Sequence, residues 1–194
     1  MIQQKTLERI AEAGADDFGL NWYSRANQSI EGLASRLGCS VQHFAMLASG
    51  YSPRVSVLRS IKFACWHVAT DGQIKPPGCM NAVHKLVNDG ITRGYHNGPK
   101  IEAFRRCLLG CESSLVLDTW IAKALRVDQK ALYQKAYYPA IESRFRATAS
   151  NMGVCLADCQ AMVWTGIMRQ HGRVDLDLIP AARVGEILDF TKGV

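Results

Sequence analysis

The amino-acid sequence predicts an all-α protein, and three observations carry that prediction. No window of useful length alternates apolar and polar residues with a period of two, so half-buried strands are not expected. Glycines and small polar residues recur where helices would stop and start. The 194 residues are 48% hydrophobic, enough to bury a core in one domain, or in one domain with a small appendage.

Taken in order, Thr6–Ala13 reads as a short amphipathic opening. Residues 21–26 (NWYSRA) read as a break, with Ser24 as an N-cap. Ser29–Leu37 is expected to be helical and to end at Gly38, because glycine adopts the left-handed conformation that closes a helix. Ser40 should cap a helix over about 41–48, stopped by Gly50. Ser52-Pro53 should then open a longer helix to about Thr70, with proline at its first position. The stretch 72–78 (GQIKPPG) holds two prolines and two glycines in seven residues and must be a loop. It is the one candidate boundary, either inside a single helical domain spanning 1–194 or between two helical lobes.

Further helices are expected over Cys79–Asn88, ended by Gly90, over Gly98 to about Leu109, and over Asp118–Leu125. Asp128 should cap 129–135, Pro139 should open a helix to about Asn151, and Cys155–Gln170 and Pro180–Phe190 complete the chain. No repeat and no low-complexity segment is present.

The formal charge is +6 and the pI about 9.0, which favours an anionic partner. The charge is uneven: residues 93–146 hold ten Lys/Arg against five Asp/Glu. No apolar run approaches the length of about 18 residues needed to span a bilayer, so no membrane segment is expected. The polar, acid-containing N-terminus resembles neither a signal nor a transit peptide, and a cytoplasmic protein is expected. Seven cysteines, an odd number set in helical contexts, suit reduced thiols better than a disulfide framework. There is no GxGxxG fingerprint, no Walker A loop and no HExxH motif, so dinucleotide, P-loop and zincin chemistry have no sequence basis.

Two stretches could meet DNA. Residues 30–50 have the layout of a helix-turn-helix, with a turn glycine at Gly38 and a polar cap at Ser40. The would-be recognition helix, VQHFAMLAS, carries no Arg or Lys to read a groove. Two packed core helices joined by a capped turn are the simpler reading. The second stretch is 93–125, RGYHNGPKIEAFRRCLLGCESSLVLDTWIAKAL. It reads as a hairpin of Gly94, His96, Asn97, Gly98 and Pro99 that opens a helix at Lys100, giving a helix-hairpin-helix over about 79–109. A tight glycine turn points backbone N–H groups outward, and the helix behind adds its positive end, so the unit can hold a phosphate. An ordinary helix–helix turn is the plainer reading. Asp118, 18 positions after Lys100, is by itself most simply an N-cap.

Together, Gly98-Pro99-Lys100 and Leu117-Asp118-Thr119 resemble the helix-hairpin-helix (HhH-GPD) DNA glycosylase superfamily, the endonuclease III-like group. The resemblance covers roughly residues 40–125. In that family the hairpin reads Leu-Pro-Gly-Val-Gly-x-Lys and the aspartate lies in a Val-Asp-Thr-His motif at the same separation. LASGYSPRVSV (47–57) resembles the family's Leu-x-Ser-x-Gln-x-x-x-x-Ser-Val segment. The flanks, with NWY early and Gln160, Ala161 and Trp164 late, look more like a small phage-type branch.

The resemblance implies a two-lobed helical fold that takes a flipped base between its lobes and cleaves its N-glycosidic bond. Asp118 would stabilise the oxocarbenium-like sugar and orient the attacking water or amine. Lys100 would be either a Schiff-base nucleophile with AP lyase activity or a phosphate contact. Tyr51 stands where the family has glutamine, and would be either a wedge filling the hole in the stack or a core aromatic at a helix end. Ser52, Arg54 and Trp120 would line the base pocket or wedge. The same scaffold could instead transfer or exchange a modified base, or bind DNA without catalysis. The implied partner is double-stranded DNA, met by a monomer in a prokaryotic or phage-infected cell.

The departures are His96-Asn97-Gly98 in place of Gly-x-Gly, and Trp120 in place of the usual histidine. The family's iron–sulfur cluster needs a C-terminal four-cysteine run, whereas this chain has Cys107/Cys111 and Cys155/Cys159, so no cluster is expected. Those four thiols could in principle hold zinc, though buried structural cysteines are the simpler reading. A monovalent cation could sit at the hairpin.

Overall fold

The computed structural model describes residues 2–94, 98–134, 137–173 and 184–191, and the side chains of 133 and 184–186 are left aside. The described residues form helices and turns with no strand, so the protein is all-α. None of their helices is long and apolar enough to cross a membrane. The chain divides into two compact units: Met1–Tyr23 with Gly110–Leu176, and Ser24–Leu109 with Asp177–Val194. The 72–78 loop lies inside the second unit, and among the described residues the divisions fall at 23/24 and 109/110.

The first unit is built around the helix Leu156–Gln170, here α10. Against it pack α1 (Gln4–Glu12), α2 (Asp17–Leu20), α8 (Thr119–Leu125) and α9 (Tyr138–Met152). A 3-10 turn, Gln129–Tyr133, joins α8 to α9. The core includes Leu7, Ile10, Leu117, Ile121, Leu125, Phe145, Met162 and Val163. Burial of these side chains, at about 25 cal/mol per Å² of apolar surface, drives the assembly. Two glycines set the α1–α10 distance. A Cβ on Gly166 would lie 2.0 Å from the Ile10 carbonyl oxygen, and one on Gly14 would lie 2.0 Å from that of Met162. Only hydrogen at both positions lets the backbones meet.

The second unit is built around α4 (Val41–Gly50), against which α5 (Val57–Ala69), α6 (Asn81–Arg93) and α7 (Pro99–Leu108) pack. Phe44, Ala45, Leu47 and Ala48 of α4 are completely buried. Ser40 caps α4 by accepting from His43 N at 3.1 Å, and Gly38 at φ 69° ends the preceding α3 (Trp22–Leu37). α11 (Val184–Asp189) packs on α5, with Phe190 beside Trp66 at 5.4 Å.

Several expected boundaries move, each for a local reason. Residues 21–26 are not a break: α3 begins at Trp22, because Trp22 and Tyr23 are both buried, and Ser24 sits inside its first turn. Ser52-Pro53 does not open α5. Ser56 does, its Oγ accepting from Arg59 N at 3.3 Å, while 52–56 form a turn. Gly50 is the last residue of α4 and is buried. Gly90 is buried within α6, and Gly94 at φ 76° closes that helix instead. The segment after Asp128 is a 3-10 turn rather than an α-helix, and Pro180 lies outside the described residues.

Candidate functional site

The two parts of the motif that defines the resemblance fall in different units, Asp118 in the first and Lys100 in the second. In the first unit Leu115, Val116 and Leu117 are buried and lead directly to Asp118, which is half-buried in an extended conformation. Its Oδ1 accepts from both Trp120 N and Ile121 N at 2.9 Å. The expected N-cap is therefore present, and it fixes the carboxylate at the mouth of α8. Ile121 and Leu125, fully buried, anchor the helix behind it.

Trp120 is half-buried. Lys123 Nζ lies 3.9 Å from the centre of its ring, and the His171 ring packs at 5.8 Å, tilted by 57°. The acid is thus followed by an aromatic ring that carries a cation, where the family has an imidazole.

The two flanking segments of the resemblance also meet inside this unit. The Tyr23 hydroxyl donates to Gln160 Oε1 at 2.6 Å, both groups buried. Trp22 lies 5.8 Å from Trp164 and 4.7 Å from Tyr23. The two segments are 137 positions apart, and sequence reasoning named both without pairing them.

In the second unit Gly94 and Gly98 are exposed, and 95–97, the part of the expected hairpin that holds His96 and Asn97, lie outside the described residues. Gly98 adopts φ 122°, a conformation reserved for glycine, and Pro99 follows at the first position of α7. A Cβ on Gly98 would meet no atom within 4 Å, so the requirement there is conformational. Lys100 is half-buried in the first turn of α7, which Phe104, Cys107 and Leu108 hold to the core.

Of its two possible roles, Tyr51 takes that of a core aromatic at a helix end. It is completely buried, so its ring cannot serve as a wedge without leaving the core. Its hydroxyl lies 2.9 Å from His67 Nδ1 and 2.8 Å from His84 Nδ1. His67 is buried and His84 half-buried. Burial, and then the neighbouring Cys79, push the Tyr51 phenol well above its ordinary range. Burial holds the His84 imidazole below its ordinary value, against a hydrogen bond to the Gly72 backbone, and nearby Lys75 adds to the lowering. No sequence spacing marked this cluster, because it joins one residue from each of three helix contexts.

Ser52 is buried, and its Oγ has no hydrogen-bond partner among the described residues. Arg54 is exposed and held at φ 62°, a strained conformation for a side chain with a Cβ. It is therefore Arg54 that the 52–56 turn offers to solvent. The rival recognition helix, α4, is the buried centre of the second unit, with only Gln42 fully exposed.

None of the seven cysteines forms a disulfide. Cys155 caps α10, its sulfur accepting from Asp158 N at 3.3 Å, and the Cys159 thiol donates to the Phe145 carbonyl. Among the described residues no three His, Cys, Asp or Glu side chains gather as a metal site would require.

No curated protein and no solved structure matches the chain. One family model does, over residues 5–171, which takes in α1 through α10 and with them Asp118, Lys100, the Tyr51 cluster and the Tyr23–Gln160 pair. The chain belongs to this family, described as a Family of unknown function (DUF7178).

Proposed function

We propose that this protein is a DNA N-glycosylase of the helix-hairpin-helix (HhH-GPD) type, excising a damaged or modified base from double-stranded DNA. The observation that carries the reading is the placement of Asp118. Its carboxylate is half-buried and oriented by two backbone N–H groups at the start of α8. It follows, in the order the superfamily uses, the exposed Gly98-Pro99 entry to α7.

In this reading the duplex is gripped through phosphates at the entry to α7, and the target base is flipped out of the stack. The N-glycosidic bond breaks with its electron pair leaving on the base, which takes up a proton. The sugar is left as an oxocarbenium-like cation, stabilised by the Asp118 carboxylate. A water, or the Lys100 amine in a lyase version, adds to the cationic carbon and loses a proton. With water the product is an abasic site. With Lys100 the adduct opens its sugar ring, the C1′–O4′ bond breaking and O4′ taking a proton as the C=N bond forms, to a covalent imine that leads to strand cleavage. The reading places the protein in the cytoplasm of a prokaryotic or phage-infected cell as a monomer, with no metal in the chemistry.

The test is base release from duplexes carrying uracil, oxidised, alkylated or phage-type modified bases. Asp118→Asn separates role from fold, because asparagine caps a helix as well as aspartate does. Base release is expected from the wild type and lost in Asp118→Asn. Unchanged release by that variant would remove Asp118 from the chemistry. Borohydride trapping of a covalent complex, absent in Lys100→Ala, decides the lyase version.

A further inference from the structure

α8 opens on Asp118 and closes on a feature that the catalytic reading does not use. The residue that caps its C-terminus, Arg126, adopts φ 54° and ψ 46°. This is the left-handed position that ends many helices, normally filled by glycine because a Cβ is strained there. Arg126 N donates to the Lys123 carbonyl and Val127 N to that of Ala122, so the closure is complete without glycine. A guanidinium is thus kept, exposed, at a site where the backbone alone would favour no side chain. Strain retained in this way points to a use for the side chain.

The neighbouring groups have one character. Trp120, Lys123 and Arg126 follow each other at three-residue steps, which places successive residues near one another on a helix surface. The Lys123 ammonium is held over the Trp120 ring at 3.9 Å, and His171, from the end of α10, packs on the same ring at 5.8 Å. Lys123, Arg126 and His171 are exposed, as is Arg173 two residues beyond His171. The nearest acid along the chain, Asp128, accepts from Lys130 N at 2.7 Å.

We propose that the closing turn of α8, with Trp120, Lys123 and Arg126 joined by His171, is a second contact surface for the DNA backbone, apart from the hairpin that enters α7. Exposed cations on an aromatic mount match the charge of a phosphate strand, and they position it without reading sequence. The inference rests on the proposal that the protein acts on duplex DNA. It adds that the helix carrying the catalytic acid also holds the substrate strand, through its other end.

The experiment measures binding of a fluorescent duplex of unmodified bases by anisotropy over a range of KCl concentrations. The variants are Arg126→Gly, Lys123→Gln and, as the loss of one positive charge on α3 in the second unit, Arg36→Gln. Arg126→Gly is expected to melt no lower than the wild type, because glycine takes this backbone conformation freely. Arg126→Gly and Lys123→Gln should each weaken binding, on the order of fivefold at moderate salt, and each should flatten the log–log salt dependence by about one. Arg36→Gln should leave the slope at its wild-type value. Wild-type slopes in both α8 variants, or an equal loss in Arg36→Gln, would overturn the proposal. Base release alongside wild-type slopes in the α8 variants would sink this surface alone. Binding with the expected slope changes but no base release from any probe would sink the glycosylase reading and leave the surface standing. A wild type that binds no duplex overturns both.

Discussion

The Tyr51 hydroxyl stands 2.8 Å from His84 Nδ1 and 2.9 Å from His67 Nδ1. A phenol has one hydrogen, so it donates to one of these imidazoles and accepts from the other. Tyr51→Phe deprives both imidazoles of this shared partner inside the second unit. The expected loss is about 1–3 kcal/mol of unfolding free energy, read from urea denaturation. A variant as stable as the wild type would show that the cluster contributes packing only.

The burial of His84 gives a pH dependence with a definite sign. Burial holds the folded-state pKa of His84 below its ordinary value. The unfolded chain therefore binds a proton first as the pH falls, and His84's contribution to stability is fully present only above the ordinary imidazole range near about 6.5. It is lost as the pH drops through that range towards the lowered folded value. Stability measured at stepwise lower pH should decline across this window, and His84→Gln should flatten the decline. A wild-type profile that rises towards acid, or one that His84→Gln leaves unaltered, would contradict the assignment.

Mutation can separate the capping role of Asp118 from its proposed chemistry. Its Oδ1 satisfies two backbone N–H groups of α8. Asp118→Ala should lower stability by about 1 kcal/mol, whereas Asp118→Asn should melt close to the wild type. Paired thermal melts of the two variants decide the point. Equal melting of both would mean that the cap contributes nothing measurable.

Gly166 governs the approach of α1 to α10. The Cβ introduced by Gly166→Ala would lie 2.0 Å from the Ile10 carbonyl oxygen, and backbone cannot rotate aside as a side chain can. Destabilisation of about 1–3 kcal/mol or more is expected by chemical denaturation, despite the better helix propensity of alanine. A gain in stability would show that the two helices separate at little cost.

Much of the architecture was legible because helix ends are written locally. Ser40, Asp118, Asp128, Gly38 and Gly98-Pro99 all do what their residue types imply. The misplaced boundaries arose where two equivalent signals competed, and burial chose between them. Ser56 rather than Ser52 caps α5, with Ser52 buried. Gly94 rather than Gly90 ends α6, with Gly90 buried. The tyrosine–histidine cluster carries no local signal at all. Its members lie 16 and 33 positions apart, and only the packing of α5 and α6 on α4 brings them together. Arg126 was hidden for a different reason, since its residue type gives no hint of a left-handed backbone.

The two-segment make-up of the first unit bears on how the protein is made. Ile2, Leu7 and Ile10 leave the ribosome well before the residues from Leu115 through Ile167 that bury them. Synthesis at about 5–20 residues per second leaves this apolar segment waiting for many seconds. Over that interval Ser24–Leu109, one continuous stretch of the second unit, emerges. α1 is thus translated long before it can find its place, and its sticky face stays exposed on the nascent chain until α10 arrives to cover it.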